Sequence, residues 1–211
     1  MAPVTASRVD RARLAAAVRE LLAAIGEDPS RPGLRETPER VAELYADLFS
    51  GVSTDPVEEL ADGLEEGHSE LVILRHIPFY SMCEHHLLPF QGVAHVAYLP
   101  NNRIVGFGKL ARVVQTCARR PQLQERFTTQ IADTLDEGLR PRGIVVVVEA
   151  THLCLAMRGV KLSGVGVVTI AARGLYAASA AARAEVLALL PHGQISGNGE
   201  ELTPGIDRAI P

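Results

Sequence analysis

Two stretches of the first 50 residues carry apolar residues every three or four positions, the spacing of one face of a helix. In the first, which is rich in alanine, these residues are Leu14, Val18, Leu21 and Leu22. In the second they are Val41, Leu44, Tyr45 and Leu48, after a glycine-bounded break. The spacing predicts helices over residues 8–25 and from Thr37 to near Gly51. We therefore place an N-terminal helical region at residues 1–68.

From residue 71 the pattern changes to short runs rich in β-branched residues, which turn residues separate. These runs predict four strands, over residues 71–80, 92–98, 144–148 and 165–171. Helical spacing returns between the second and third runs, over residues 109–119 and 122–139. The order β-β-α-α-β-β predicts an α+β fold, in which a pair of helices covers one face of an antiparallel sheet.

A last alanine-rich stretch, residues 178–190, predicts a C-terminal helix. The main domain then covers residues 69–190. The remaining residues, 191–211, contain glycine and proline and are interpreted as a tail.

Composition narrows the classes of function. The 211 residues are 47% hydrophobic and 22% charged, which is typical of a soluble globular protein. A net charge of -4 argues against general binding to nucleic acid, because that binding depends on many Lys and Arg contacts to phosphate. No apolar stretch approaches the roughly 20 residues of a membrane span. We expect a cytoplasmic protein with neither a nucleic acid nor a membrane as partner.

Cysteine and histidine cluster at two places that lie next to predicted strands. Cys83 and His86 belong to Cys83-Glu84-His85-His86, and Cys154 follows the strand at 144–148. Two thiolates and one imidazole suit Zn²⁺ and leave a fourth position for water, the pattern of a catalytic zinc site. The alternative is that Cys83 and Cys154 are buried free thiols beside hydrogen-bonded histidines.

Two further histidines, His85 and His152, lie beside this candidate metal site in the sequence. Histidine titrates near neutral pH, so either could carry protons for a reaction. Either could instead orient a metal ligand through a hydrogen bond. Cys117 has no histidine nearby and is interpreted as a packing residue. The other histidines, among them His95, are assigned no chemistry.

Charged residues are unevenly distributed. Residues 101–126 contain six basic residues and the single acid Glu125, whereas residues 51–70 contain seven acids and no Lys or Arg. Lys109 and Arg112 share a helix face near its N-terminus and, with Arg158, suggest a pocket for a small phosphorylated ligand. The alternative for the basic stretch is a solvated helix face. The acid-rich stretch is interpreted as a solvated surface.

Several motifs together resemble those of the GTP cyclohydrolase I family. They are Thr37-Pro38-Glu39-Arg40-Val41, Cys83-Glu84-His85-His86, Gly106-Phe107-Gly108-Lys109-Leu110-Ala111-Arg112, Arg120-Pro121-Gln122-Leu123-Gln124-Glu125-Arg126, and His152-Leu153-Cys154 with Arg158-Gly159. The resemblance covers about residues 10–190. It implies a tunnelling fold for the catalytic domain at 69–190. It also implies a homo-oligomer, usually a decamer of two pentamers with active sites at subunit interfaces.

The resemblance also implies roles for individual residues. Cys83, His86 and Cys154 would bind zinc, and His85 and His152 would be the acid-base pair. Gln124 and Glu125 would recognise guanine. The triphosphate would be held by Arg40, Lys109, Arg112 and Arg158. The implied reaction is hydrolytic opening of the imidazole ring of GTP, loss of formate, and rearrangement to 7,8-dihydroneopterin triphosphate.

Two departures from the family pattern leave alternatives. Gly108 stands where the family usually has Ser, and residues 163–169 lack most of the usual alternating Ser and Thr. The missing hydroxyl at Gly108 would affect the rearrangement, so one alternative is a specialised paralogue that stops at a ring-opened formamidopyrimidine or serves another purine-derived pathway. A second alternative is a regulatory protein that binds GTP without turnover.

Overall fold

The computed structural model describes residues 9–159, 161–162 and 164–190, and its first elements are two helices. These are α1 (Arg11–Ala24) and α2 (Thr37–Leu48), which pack against each other. Asp10 caps α1, because its side chain accepts a hydrogen bond from the backbone N–H of Arg13. Both predicted N-terminal helices are confirmed.

The acid-rich stretch forms an ordered strap rather than a purely solvated surface. It contains two 3₁₀ helices, Ser50–Ser53 and Pro56–Leu60, and a two-residue strand, β1 (Leu64–Glu65), which pairs with β4 (Arg103–Ile104). Leu60 is buried in the main core, and Arg103 donates hydrogen bonds to the carbonyl oxygens of Leu60, Ala61 and Gly138. The interpretation of this stretch as solvated is therefore wrong where it packs on the core.

The main sheet has five strands in the order β5-β2-β3-β6-β7. Their bounds are β2 Val72–Cys83, β3 Pro89–Leu99, β5 Pro121–Gln122, β6 Gly143–His152 and β7 Gly166–Gly174. The four long strands pair antiparallel, as the element order predicts. Strand β5 is a correction, since it was expected as part of a helix but adds a short parallel pairing to the end of β2.

Two helices cover one face of this sheet, also as predicted. They are α3 (Phe107–Ala118) and α4 (Gln124–Leu139), whose apolar faces enclose the main core with the sheet. Cys117 is fully buried in that core, and burial raises the pKa of its thiol to about 11. The interpretation of Cys117 as a packing residue is confirmed.

Within the described residues, two short helices cover one end of the opposite face of the sheet. The short helices α6 (Leu175–Ala178) and α7 (Ala180–Leu189) pack there, and Ser179 caps α7. Tyr176 and Val186 form a second cluster with Ala97 and Val145 of the sheet. The C-terminal helix predicted over residues 178–190 is confirmed as α7, and α6 precedes it. On β7, Val168 and Ile170 stay 55% and 52% exposed.

None of the helices within the described residues has the length and apolar character that crossing a membrane requires. The cytoplasmic location and the domain boundary at residues 68/69 stay predictions. The predicted tail, 191–211, lies outside the described residues.

His95, which was assigned no chemistry from the sequence, lies in a buried environment. Its side chain is 1% exposed on β3, and its Nδ1 accepts a hydrogen bond of 3.4 Å from the backbone N–H of His76. His76 lies at a β-bulge with φ of 57°. Burial, reinforced by the neighbouring His76 and Arg75, lowers the pKa of His95 to about 4. Glu149 of β6, 3.9 Å from Nε2, does not offset this, so His95 is neutral.

We predict that His95 makes the protein less stable in acid. The unfolded chain binds a proton on this histidine below pH 6.5, whereas the folded chain binds it only near pH 4. Above pH 6.5 His95 is neutral in both states and does not change the free energy of unfolding with pH. As the pH drops to 4, proton binding by the unfolded chain lowers that free energy by up to about 3 kcal/mol. Urea unfolding across this range should show a smaller pH slope for His95→Asn than for the wild type.

The exposed His68 provides the control, since His68→Asn removes a histidine from the surface. Its pH slope should match that of the wild type. Equal slopes for His95→Asn and wild type would contradict the prediction.

Candidate active site

The ends of three strands meet at one corner of the sheet. Strand β3 pairs with β2 on one side, where Met82 faces Pro89, and with β6 on the other, where Phe90 faces His152. The turn after β2 is tight, because the backbone N–H of Leu87 donates to the carbonyl oxygen of Cys83 at 2.8 Å. The chain after β6 turns at once into a single helical turn, α5 (Leu153–Ala156). The Cys83–His86 turn and Cys154 are thus brought together across the start of β3.

The structure brings the three predicted metal ligands into one cluster. Candidate ligand atoms of Cys83, His86 and Cys154 all lie within 4.8 Å of one another, and Cys83 Sγ is 4.0 Å from His86 Nδ1. Ligand atoms around a tetrahedral zinc ion are roughly 3.6–3.8 Å apart. The three side chains therefore need to move only slightly closer together to bind the ion. Cys83 is buried and His86 is exposed, which leaves one side of the cluster open. The residues therefore fit zinc.

Without a cation, the thiol of Cys154 tends to keep its proton. Burial and the neighbouring Cys83 sulfur both raise the pKa of Cys154. A divalent ion between the sulfurs reverses this, because it stabilises both thiolates. Arg158 contacts Nε2 of His86, so Nδ1 is the ring nitrogen directed toward the Cys83 sulfur. Of the candidate phosphate-binding residues, Arg158 is thus the one placed beside the metal cluster.

His152 and His85 lie in contrasting environments. The His152 ring stacks on Phe90, with centroids 4.6 Å apart and planes 3° from parallel. Its Nε2 is 2.7 Å from Oε1 of Gln124, and burial lowers its pKa. His85 is exposed, with its ring centroid 6.1 Å from that of His86. His152 is therefore held in one orientation, whereas His85 faces outward from the turn.

The two predicted guanine-binding residues also differ in exposure. Gln124 begins α4 and is 2% exposed, and its amide is hydrogen-bonded within the protein. The adjacent Glu125 is exposed. The neighbouring Arg126 pairs with Glu84 at 3.1 Å and lowers the pKa of that carboxyl. Glu125 is thus the more accessible of the two side chains to a ligand.

The remaining predicted phosphate-binding residues are engaged by acids. Lys109 Nζ is 2.8 Å from Oδ2 of Asp62, and Arg112 Nε is 3.5 Å from Oε2 of Glu59. Both acids belong to the strap, and Lys109 lowers the pKa of Asp62. Arg40 pairs with Glu36 on the exposed surface of α2. Among the described residues, no hydrogen bond or ion pair joins Arg40, Lys109 or Arg112 to the metal cluster.

Sequence reasoning missed the residues that surround His152 and the basic helix face. Phe90, Thr128 and Thr169 contact His152 or Gln124, and each is unremarkable in its own segment. Asp62 and Glu59 were visible only as members of an acidic run. Residues 51–70 are acidic and residues 101–126 are basic. This difference in charge was the one signal that could have predicted that Asp62 and Glu59 pair with the basic helix face.

We predict that the Cys83–His86–Cys154 cluster binds one zinc ion per chain. Cys154→Ser should weaken zinc binding more than the 10- to 100-fold typical of losing a residue that only supports a ligand. Elemental analysis of the protein purified with zinc measures this. Cys117→Ala is the matched control and should retain zinc, because Cys117 lies in the core away from the cluster. Full zinc content in Cys154→Ser would contradict the assignment.

Comparison with known proteins adds an independent line of evidence. The family model described as GTP cyclohydrolase I matches residues 14–191. The GTP cyclohydrolase 1 of Dehalococcoides mccartyi is 56% identical over 185 residues, which cover 87% of this chain and 98% of that protein. The enzyme of Carboxydothermus hydrogenoformans is 55% identical over 185 residues, 87% and 96% of the two chains. That of Mycolicibacterium vanbaalenii is 54% identical over 191 residues, 90% and 95%.

Among solved structures, the crystal structure of an archaeosine synthase QueF-like protein in the apo form overlaps 49% of this chain and 93% of its own. It is 20% identical with a TM-score of 0.40, a likeness too weak to support an argument. The family match and the sequence identities are decisive without it. The chain belongs to the GTP cyclohydrolase I family.

Proposed function

We propose that this protein opens the imidazole ring of GTP by hydrolysis, releases formate, and forms 7,8-dihydroneopterin triphosphate. The observation that carries this proposal is the convergence of Cys83, His86 and Cys154 beside an oriented His152. Family membership supports it, since the curated relatives are named GTP cyclohydrolase 1. Of the two departures from the family pattern, the one at Gly108 concerns the later, rearranging steps.

Cys83, His86 and Cys154 are the residues that would hold zinc. When bound, the ion would supply Lewis-acid activation of water in the hydrolytic half of the reaction. The buried Cys83 and the half-buried Cys154 fix the inner side of the site, and the exposed His86 leaves the outer side for substrate.

His152 is proposed to take a proton from the attacking water and return one to the departing ring nitrogen. Its pKa is lowered by burial, so the ring is neutral and able to accept a proton near pH 7. His85 is proposed as the second proton carrier, since it lies on the turn that supplies Cys83 and His86. Its exposure allows exchange of protons with solvent.

Glu125 is proposed to recognise the guanine base. An exposed carboxylate accepts two parallel N–H bonds, which matches the N1–H and 2-amino group of guanine. Arg126, its neighbour, is occupied by Glu84, so the Glu125 carboxylate faces no ion-pair partner among the described residues. Gln124 lies directly beside it at the start of α4.

Lys109, Arg112, Arg158 and Arg40 are proposed to hold the triphosphate. Two of them are already paired with acids of the strap, so a triphosphate must displace Asp62 from Lys109 and Glu59 from Arg112. Exposed pairs of this kind contribute only about 0.2–1 kcal/mol, so a multiply charged ligand can replace them.

A homo-oligomer, in the decameric form implied by the resemblance, is proposed to complete the site. In the described part of the chain β7 pairs on one side only, and its Val168 and Ile170 are largely exposed. Unpaired strand edges of this kind are normally covered. Within the part that the structure describes, Arg40 makes no hydrogen bond or ion pair to the metal cluster of its own chain. A partner subunit would then supply the corresponding contact to the phosphates.

Formate release and product identity test the function. The wild type with zinc should release formate from GTP and yield a pterin that fluoresces after oxidation. His152→Ala should reduce formate release about 10²- to 10⁴-fold, the range for loss of a general acid-base group. Equal release by both proteins would contradict the mechanism.

The product separates the full reaction from the early-stopping alternative, which Gly108 favours. Accumulation of a ring-opened formamidopyrimidine without a pterin would support that alternative. A side chain fits at position 108, since a Cβ there meets nothing within 4 Å. Gly108→Ser should then restore pterin formation if the missing hydroxyl is the cause.

We further predict that Asp62→Asn lowers the KM for GTP. Removing the carboxylate frees Lys109 for the triphosphate, and the gain is about two- to fivefold, the equivalent of an exposed ion pair. Steady-state kinetics measure it. Asp133→Asn removes the same charge but breaks only the Asp133–Arg173 pair, so its KM should stay unchanged. A raised KM in Asp62→Asn, or an equal decrease in both variants, would contradict the prediction.

A further inference from the structure

Gln124 connects three elements around His152. Its backbone begins α4, and its Nε2 lies 3.1 Å from the carbonyl oxygen of Val148 on β6 and 2.9 Å from that of Val167 on β7. A third acceptor, Oγ1 of Thr169, is 3.2 Å from the same nitrogen. With 2% of its surface exposed, Gln124 makes these contacts away from bulk water.

These partners fix the orientation of the Gln124 amide. Backbone carbonyl oxygens only accept hydrogen bonds, so the end of the amide that faces Val148 and Val167 must be the NH₂ group. The opposite orientation would place Oε1 against two carbonyl oxygens, neither of which can donate, and leave the buried Oε1 unpaired there. Such buried unpaired groups cost about 1–3 kcal/mol each.

Two threonines make the network directional. Thr128 Oγ1 donates to the backbone carbonyl oxygen of Gln124 at 2.8 Å, which uses its only hydrogen. Thr169 Oγ1, 2.6 Å from Thr128 Oγ1, must therefore be the donor of that pair. Its remaining capacity is as an acceptor, and it shares the two hydrogens of the Gln124 amide with the carbonyl oxygens of Val148 and Val167. Thr169 lies in residues 163–169, the segment that departs from the family pattern.

The orientation of Gln124 determines which nitrogen of His152 carries a hydrogen. Oε1 of Gln124 faces His152 Nε2 at 2.7 Å, and an amide oxygen can only accept. Nε2 therefore carries the hydrogen, and the neutral ring has its lone pair on Nδ1. Stacking on Phe90 holds the ring plane in the same position.

We propose that Gln124 is a positioning residue that holds His152 in its Nε2–H tautomer, so that Nδ1 is the atom that accepts and returns the proton during the reaction. This rests on the proposed function. Nδ1 takes a proton from the attacking water, and the resulting imidazolium keeps its Nε2–H bond to Gln124. Nδ1 then gives that proton to the departing ring nitrogen. Recognition of guanine then depends mainly on Glu125, because the Gln124 amide hydrogens are already donated to acceptors within the protein.

The ¹⁵N NMR spectrum of the zinc-loaded, full-length protein with labelled histidine rings tests the tautomer directly. The His152 signals are assigned by their loss in His152→Gln. We expect Nε2 to show the shift of a protonated nitrogen and Nδ1 that of an unprotonated one. A protonated Nδ1 in the neutral ring would overturn the proposal. The tautomer is read on the wild type and depends on no activity, and the variant serves only to assign the signals.

Two variants test the link to Gln124. Gln124→Met keeps the volume but removes the acceptor, so both tautomers of His152 should appear and kcat for formate release should fall about 10- to 100-fold. The KM for GTP should change less than kcat. Glu125→Gln provides the contrast and should act mainly on KM.

The outcomes are distinguishable. A raised KM with unchanged kcat and an unchanged tautomer in Gln124→Met would overturn the proposal in favour of direct guanine binding. No formate release by the wild type would instead refute the proposed function. In that case the NMR result would still report whether Gln124 sets the tautomer.

Discussion

The antiparallel pairing of β3 with β6 is the constraint on which the site depends. Ten residue pairs run without interruption from Phe90 opposite His152 to Leu99 opposite Gly143. A slip of one residue would turn His152 to the other face and separate it from Phe90. Gly92 permits the close approach of the two strands, since a Cβ there would lie 1.9 Å from the carbonyl oxygen of Glu149. The chemistry of the corner therefore rests on backbone register.

Much of this architecture could be predicted from the sequence because the signals are local. Helical spacing identified α3 and α4, and β-branched runs identified the long strands. The metal cluster was predictable because Cys83, His86 and Cys154 are chemically distinctive and adjoin strand ends. Short elements such as β5 were not predicted, because two residues are too few to show a periodic pattern. An element is therefore predictable when its hydrophobic pattern extends over enough residues to repeat.

The remaining contacts could not be predicted, because they join residues whose own segments look ordinary. His95 reads as a polar residue in a strand, and only the bulge at His76 shows that its Nδ1 is a buried acceptor. Gln124 was assigned to guanine by resemblance, yet its amide is bonded to two strands distant in sequence. Spacing patterns report which face of an element is buried. They do not report which hydrogen-bonding groups meet there.

The pairing of Lys109 and Arg112 with acids of the strap has a consequence for the ions that the protein meets in solution. Each pair joins an acid of the strap to a base of α3, so an anion that approaches either base has to displace a carboxylate first. Because an exposed pair is worth only about 0.2–1 kcal/mol, this competition is weak for each pair. The strap thus acts as a built-in competitor that lowers the affinity of this helix face for anions in general.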